Sequence, residues 1–362
     1  PDRVRGLLMP PRDCANSSMA SKSEKFSTAE YAVMLLVTIT VFVLCICLGS
    51  VTVPVSDVFR NIWGSVTGKA ASPEDVSRAI IVSVRLPRVL CVSFTGAALS
   101  LCGAAMQGIL RNPLADGSTL GVSSGASLGA VLAIAFGAQI PWFSGAGTML
   151  MAMLFAFLSL IVILSLARKL DHSLSTNTII LTGIVFSMFI NSIISLVIAF
   201  AGDRVKTITF WTMGSLANTV YSNALTLLIA LFICGIMILS KARELNAFAI
   251  GEDNARSVGV DVKRVKLILL IAVSALIGIC VSIGGTIGFV GLVTPHMTRM
   301  IVGPNHKKLL PASMFFGAVF LMLADLLSRT LLSPVELPVG VVTSFIGAIM
   351  FIYIFCKTRK VQ

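Results

Sequence analysis

The sequence contains little charge, because Asp, Glu, Lys and Arg make up only 12% of its 362 residues. Hydrophobic residues make up 56%, and the mean hydropathy is +0.95. A typical soluble domain carries about 25% charged residues to cover its surface. This composition therefore excludes a soluble enzyme and a disordered scaffold, and it predicts a membrane protein.

Reactive motifs are also scarce. The eight cysteines form no Cys-x-x-Cys pair and the sequence has just three histidines, so nothing indicates a zinc site. Residues 64–69 read G-S-V-T-G-K, one residue too short for the ATP-binding loop GxxxxGK[ST], and Ala70 stands where a hydroxyl is needed. We expect no catalytic residue, metal site or cofactor in this chain, so a membrane enzyme has no candidate site.

The formal net charge of +12 raises the question of nucleic-acid binding. The Lys and Arg residues are scattered between apolar runs and form no stripe, which is not the footprint of a nucleic-acid interface. We therefore expect no nucleic-acid partner and interpret these residues as determinants of membrane topology.

Apolar stretches bounded by Pro, Gly, Asn or charged residues predict about ten transmembrane helices in an all-α, polytopic membrane protein. Glycines make the seventh and eighth stretches hard to separate. The stretches lie near residues 31–51, 88–110, 118–138, 145–167, 176–201, 221–240, 265–283, 286–302, 309–330 and 338–356.

The chain divides into a polar tail (1–30), one transmembrane domain (31–357) and a short C-terminal tail (358–362). We expect residues 1–18 to be vector sequence or an upstream misreading, because Met19 is a more convincing start. Lys and Arg are more numerous in the segments that face the cytoplasm if the N-terminus is inside. An even number of helices then predicts that both termini are cytoplasmic.

Small residues recur every fourth position in the second and third apolar stretches, as in Gly96, Ser100, Ala104 and Gly108. Such flat faces let helix backbones approach closely inside a bilayer, so we expect both helices to be buried among others. Asp325 is the clearest acidic residue inside an apolar stretch. It lies four residues before Arg329, where the two side chains can pair on one helical face.

The hydrophilic loop 241–266 is longer than a connector needs. Gly251 is a helix breaker, Glu252 and Asp253 favour the start of a new helix, and Gly259 ends it. The pattern predicts a short amphipathic helix on the cytoplasmic face, which we interpret as a docking element for a partner protein.

Motifs distributed along the chain resemble the permeases of iron-siderophore, haem and cobalamin ATP-binding cassette (ABC) importers, the FecCD/BtuC-like family. They include R-L-P-R at 85–88, N-P-L-A at 112–115, L-G-V-S-S-G-A at 120–126, G-F-V-G-L-V-T-P-H at 288–296 and E-L-P-V-G-V-V-T at 336–343. The resemblance covers essentially all of residues 31–357.

The resemblance implies ten helices, two permease subunits that are often identical, two ATPase subunits that bind ATP and Mg, and an extracytoplasmic binding protein. It also implies that this chain lies in the bacterial cytoplasmic (inner) membrane. It assigns Arg85, Arg88 and Arg329 to docking of the binding protein. The inner gate corresponds to Asn112, Leu114, Thr176 and Asn177. Coupling to the ATPase falls on Gly251, Glu252, Asp253, Ala255, Arg256 and Gly259.

The positions of Arg85 and Arg88 are compatible with the docking assignment. The two residues flank Pro87, and a proline is tolerated in the first turn of a helix, so both arginines lie at the start of the second apolar helix. We therefore expect Arg85 and Arg88 to lie at the membrane surface with their guanidinium groups facing outward. Anchoring of a helix end at the membrane interface is the alternative for both residues.

The leading function is the permease subunit of an ABC importer of a metal chelate. The alternative is a secondary transporter or channel that works without ATP, which the scarcity of buried ion-coupling carboxylates disfavours.

Overall fold

The computed structural model describes residues 26–49, 53–67, 76–137, 146–172 and 175–359. The expectation for residues 1–18 lies outside these ranges, as do part of the segment 64–69 and residues 360–362. Within them the secondary structure is helical and contains no β-strand.

Fifteen α-helices follow one another along the described residues. They are α1 (Thr28–Cys47), α2 (Val55–Val66), α3 (Val76–Ala79), α4 (Leu86–Leu110), α5 (Val122–Phe136), α6 (Ala146–Leu170), α7 (Thr176–Phe200), α8 (Val205–Thr212), α9 (Tyr221–Ser240), α10 (Ala242–Ile250), α11 (Glu252–Ser257), α12 (Val262–Gly284), α13 (Val290–Val302), α14 (His306–Thr330) and α15 (Val339–Arg359). A wide π-helical segment, Ile80–Arg85, joins α3 to α4, and 3-10 turns cover Gly117–Leu120 and Gly202–Arg204.

Each of the ten apolar stretches in the sequence falls on a helix. Seven helices of the described residues are long and apolar enough to cross a membrane: α1, α4 with the π-helical segment before it, α6, α7, α9, α12 and α14. Among the other three, α5 and α15 contribute shorter apolar helices. The seventh and eighth stretches are distinct helices, because α12 ends at Gly284 and α13 begins at Val290.

The helix α4 lies at the centre of the bundle. It packs against α14, α13, α9 and α12, and most of its side chains are buried. Few side chains of α1 and α7 are buried, so these two helices form much of the outer surface. This difference places the core around α4 and confirms that the second apolar stretch is buried among other helices.

Glycines allow the central helices to touch through their backbones. A Cβ atom at Gly96 would collide with the backbone of Gly317 in α14, and one at Gly103 would collide with that of Gly291 in α13. In α5, Gly129 lies in the same way against the backbone carbonyl of Met151 in α6. Close approach is how helices gain packing energy in lipid, where burial of apolar groups supplies little drive.

The loop 241–266 is more ordered than the sequence suggested. It contains two short helices, α10 and α11, and the first turn of α12 also falls within it. Lys266 is not a solvated loop residue, because it is fully buried. The helices α2 and α8 were not predicted from the sequence. They are short and have few buried residues, and their sequences mix apolar and polar residues.

We expect the substitution Gly103→Val to destabilise the protein, because the new side chain would have to displace the backbone of Gly291. Overpacking a well-filled interface costs about 1–3 kcal/mol. The measurement is the thermal unfolding midpoint of the purified protein in detergent.

Gly64→Ala in α2 is the matched control, since a Cβ atom there meets nothing within 4 Å. It should leave the midpoint unchanged or raise it slightly. Equal midpoints for Gly103→Val and wild type would show that the backbone contact does not contribute to stability.

Candidate functional site

A buried cluster of charges joins α4 to α14 at one end of the bundle. Arg88 donates hydrogen bonds from Nε and Nη2 to Asp325 Oδ1, at 3.0 and 2.9 Å. Arg329 Nε lies 3.0 Å from Asp325 Oδ2, which confirms the pair expected from the sequence. Arg88 Nη1 also donates to Glu336 Oε2 at 2.8 Å. The Asp325 carboxylate thus pairs with both Arg88 and Arg329.

Two of the arginines also bind the end of α1. Arg85 Nη1 donates to the carbonyl oxygens of Ile46 and Cys47, at 2.8 and 3.2 Å. Arg329 Nη2 donates to the carbonyl of Cys45 at 3.0 Å. The last carbonyls of a helix have no partner within the helix and carry partial negative charge. The guanidinium groups supply those partners, so Arg85 and Arg329 cap the C-terminal end of α1.

The expected outward exposure of Arg85 and Arg88 is wrong. Arg85, Arg88 and Arg329 are 5%, 5% and 4% exposed in this chain. No acidic residue lies within four positions of Arg85 or Arg88 in the sequence. The carboxylates that bind Arg88 are those of Asp325 and Glu336, 237 and 248 positions away. A local search cannot find such partners. The docking assignment itself stays a prediction.

The short helix α11 is bounded by glycines, as the sequence predicts. Gly251 and Gly259 have φ angles of +124° and +87°, which residues with a side chain rarely adopt. The amide of Gly259 donates to the carbonyl of Arg256, and that of Val260 donates to the carbonyl of Ala255. This is the Schellman pattern that terminates helices on a glycine.

The two sides of α11 have different surroundings. Ala255 is fully buried, and the side chain of Glu252 is only 16% exposed. Asp253 lies on the other side and is 94% exposed, with Arg256 2.9 Å away. The helix therefore rests on the bundle through Glu252 and Ala255 and presents Asp253 to solvent.

The Glu252 carboxylate lies where three helices meet. Its Oε1 accepts hydrogen bonds from Lys266 Nζ of α12 at 2.7 Å and from Thr176 Oγ1 of α7 at 3.2 Å. Burial raises the pKa of this carboxyl, but the hydrogen bond and charge of Lys266 and the hydrogen bond of Thr176 outweigh it. The pKa is lowered below its ordinary value of 4.5, with the charge of Arg111 acting in the same direction. Glu252 is therefore ionised at neutral pH.

The residues assigned to the inner gate fall into two groups. Asn112 accepts a hydrogen bond from the amide of Leu114 at 2.9 Å, so these two form one tight turn. Thr176 begins α7 and contacts Glu252, while Asn177 beside it is exposed. The structure thus joins Thr176 to Glu252, which the sequence resemblance assigns to coupling. Neither that contact nor the ion pair between Lys266 and Glu252 is visible in the sequence pattern.

Two cavities lie where helices are interrupted. One of about 860 Å³ is lined by residues including Trp211, Asn218 and Glu336, and one of about 200 Å³ by residues including Asp116, Ser127 and Asn191. Gly285, between α12 and α13, lines both. Its φ of +68° and its approach to the backbone of Trp211 require a glycine. Among the described residues, no group of three or more His, Cys, Asp or Glu could hold a metal ion.

Comparison with known proteins gives consistent matches over most of the chain. The model of the FecCD transport family matches residues 36–357. The uncharacterized ABC transporter permease protein YvrB of Bacillus subtilis strain 168 is 42% identical over 88% of this chain and 90% of its own length. The cobalamin import system permease protein BtuC of Halobacterium salinarum is 35% identical over 83% of this chain and 80% of its own length.

A solved structure extends the likeness to three dimensions. It is an inward-facing conformation of a transporter assigned provisionally to the metal-chelate type of ABC transporter. It shares 30% identity and a TM-score of 0.80, and the match covers 91% of this chain and all of that one.

We expect Asp325→Asn to destabilise the protein strongly, because it removes the charge that binds two buried guanidinium groups. Breaking a buried ion pair by removing one partner costs about 3–5 kcal/mol. Thermal unfolding in detergent measures the loss. The control is Asp57→Asn, which removes a carboxylate 3.8 Å from the exposed Arg60. A surface pair of this kind contributes about 0–1 kcal/mol. Similar losses in both variants would contradict the role of Asp325.

Stability at acid pH should depend on Glu252. Since its pKa is lower in the folded protein than the ordinary 4.5, its contribution is complete above that value and disappears as the pH falls through the lowered pKa. The Glu252→Gln variant should therefore lose less stability than wild type between neutral pH and pH values below 4.5. Unfolding midpoints across that range provide the measurement, and parallel curves for the two proteins would contradict the shift.

Proposed function

The chain belongs to the FecCD transport family, and on this premise we propose that it is the membrane permease subunit of an ABC importer that carries a metal chelate into the cytoplasm. The substrate class we propose is an iron-siderophore, haem or cobalamin. The cobalamin permease of Halobacterium salinarum and the metal-chelate type of the matched structure support this class.

The observation that carries the proposal is the two-sided helix α11. One side is fixed to the bundle, and the other is open to a partner. Beside its exposed face, Ile250 and Val258 are 74% and 73% exposed, at the two ends of the glycine-bounded segment. Large apolar side chains that are exposed beside a polar surface are candidates for contact with another protein. We assign Ile250, Asp253, Arg256 and Val258 to the contact with the ATPase.

We propose ten membrane-crossing helices with both termini in the cytoplasm. The distribution of Lys and Arg supports this orientation. It places α11 and the start of α7 on the cytoplasmic side, and Asp325 near the end of α14 on the outer side. An ATPase and a binding protein would then contact opposite ends of the bundle.

The docking of a binding protein at Arg85, Arg88 and Arg329 is proposed from the resemblance in sequence. The geometry adds one condition to it. Arg88 is already paired with Glu336, whose side chain is 43% exposed. A carboxylate arriving from outside would therefore compete with Glu336 for the guanidinium group of Arg88.

The assembly we propose contains a second permease subunit, two cytoplasmic ATPase subunits that bind ATP and Mg, and an extracytoplasmic binding protein in a bacterial cytoplasmic membrane. The alternative, a secondary transporter without ATP, needs a carboxylate free to carry a proton or bind an ion. Asp325 is a poor candidate because two arginines hold it.

We expect the double substitution Ile250→Asp/Val258→Asp to weaken binding of the partner ATPase. Losing an apolar anchor at an interface costs about 2 kcal/mol, or about thirtyfold in affinity. Co-purification of the ATPase with the tagged permease measures the effect.

The control is Val335→Asp, another exposed apolar residue, which lies between α14 and α15 at the opposite end. It should leave ATPase binding unchanged. A wild-type permease that transports its substrate without binding any ATPase would support the secondary transporter.

A further inference from the structure

We propose that Glu252 is the positioning residue that fixes α11 to the bundle and transmits its displacement to the start of α7. The proposal rests on the proposed function, because it takes α11 as the element that meets the ATPase. It assigns to Glu252 a task inside the permease and leaves contact with the ATPase to the exposed side of the helix.

Neighbouring side chains of α11 point in different directions. Asp253 is 94% exposed, whereas Glu252, one position earlier, is 16% exposed. A carboxylate that served the partner would lie on the open side. The Glu252 carboxylate instead lies between α11, α7 and α12, so its binding partners belong to the permease itself.

The two hydrogen bonds that the Glu252 carboxylate accepts come from two other helices, while Arg256 of α11 itself lies 4.0 Å from its Oε2 atom. Lys266 Nζ, 2.7 Å away, belongs to the second turn of α12. Thr176 Oγ1, 3.2 Å away, belongs to the first residue of α7. A carboxylate is also stabilised by the positive end of the helix dipole at an N-terminus, and Glu252 is the first residue of α11 and contacts the first residue of α7. One side chain therefore connects α11 to two other helices.

The ion pair between Glu252 and Lys266 resists separation. The side chain of Lys266 is fully buried. Moving Glu252 away would remove a carboxylate at 2.7 Å from a buried ammonium group, which is unfavourable where water cannot replace it. The ion pair should therefore hold α11 and α12 together as a unit, and the hydrogen bond from Thr176 joins the start of α7 to that unit.

The test uses the full complex of permease and ATPase and does not require the substrate. Asn177, the exposed neighbour of Thr176, is replaced by Cys, and Cys14 and Cys356 by Ser. The rate of labelling by N-ethylmaleimide is measured with and without Mg-ATP. In this reference protein we expect the two rates to differ by at least about fivefold, the lower end of common coupling effects.

In the Glu252→Gln/Lys266→Met double variant, which removes the ion pair without leaving either charge behind, the ratio of the two rates should fall to near one. The ATPase should still co-purify, because the exposed side of α11 is unchanged. The control is Lys241→Met/Glu244→Gln, which also removes a Lys–Glu ion pair. Its Lys241 Nζ and Glu244 Oε1 atoms lie 2.9 Å apart, and the pair joins α10 only to the residue that precedes it. It should keep the reference ratio.

Thr176→Val provides a second test, because it removes the hydroxyl that binds Glu252 and leaves the Glu252–Lys266 ion pair in place. It should give a smaller nucleotide response than the reference. A reference ratio retained in the Glu252/Lys266 variant, or in Thr176→Val, would overturn the inference. A reference permease that binds no ATPase would instead overturn the proposed function, and the inference with it.

Discussion

Asp325 is the charge around which one end of the bundle is organised. It binds Arg88 of α4 and Arg329 of α14, and Arg329 and Arg85 then bind the last carbonyls of α1. The buried residues of α1 all lie in its last turn, next to these guanidinium groups. Apolar contacts distinguish poorly between protein and lipid inside a bilayer. Charged hydrogen bonds have no equivalent partner in lipid, so they determine where α1 is attached.

The sequence predicted the features that depend on neighbouring residues. Hydropathy located the apolar helices, and two glycines eight positions apart located α11, because a positive φ is a local requirement. The Asp325–Arg329 pair followed from helical spacing. The pairing of Arg88 with Asp325 and Glu336 could not be predicted, since the chain must fold before these residues meet. The same reason explains Lys266: its apolar surroundings come from other helices, while its sequence context is that of a basic loop.

The two ends of the bundle use charge in different ways. Near Asp325, several donors converge on one carboxylate and on helix-terminal carbonyls, which fixes neighbouring helices to one another. Near Glu252, one carboxylate reaches from a short surface helix to two long ones. Between the two ends, α4, α13 and α14 touch through glycine backbones such as Gly103 and Gly291. A bundle of this kind can move as stiff units, because its interior contacts leave little space for adjustment.

The unequal lengths of the helices have a consequence for the surrounding lipid. The helix from Ile80 to Leu110 has 31 residues and is about 46 Å long, whereas α5 has 15 and is about 22 Å long. A bilayer core is about 30 Å thick, so neither length matches it. Both helices are largely surrounded by protein, so the mismatch costs little. The exposed helices α1 and α7 match more closely, at about 30 and 38 Å. Where α1 and α7 face lipid and not the second permease subunit, acyl chains of different length should therefore act on them by changing their tilt.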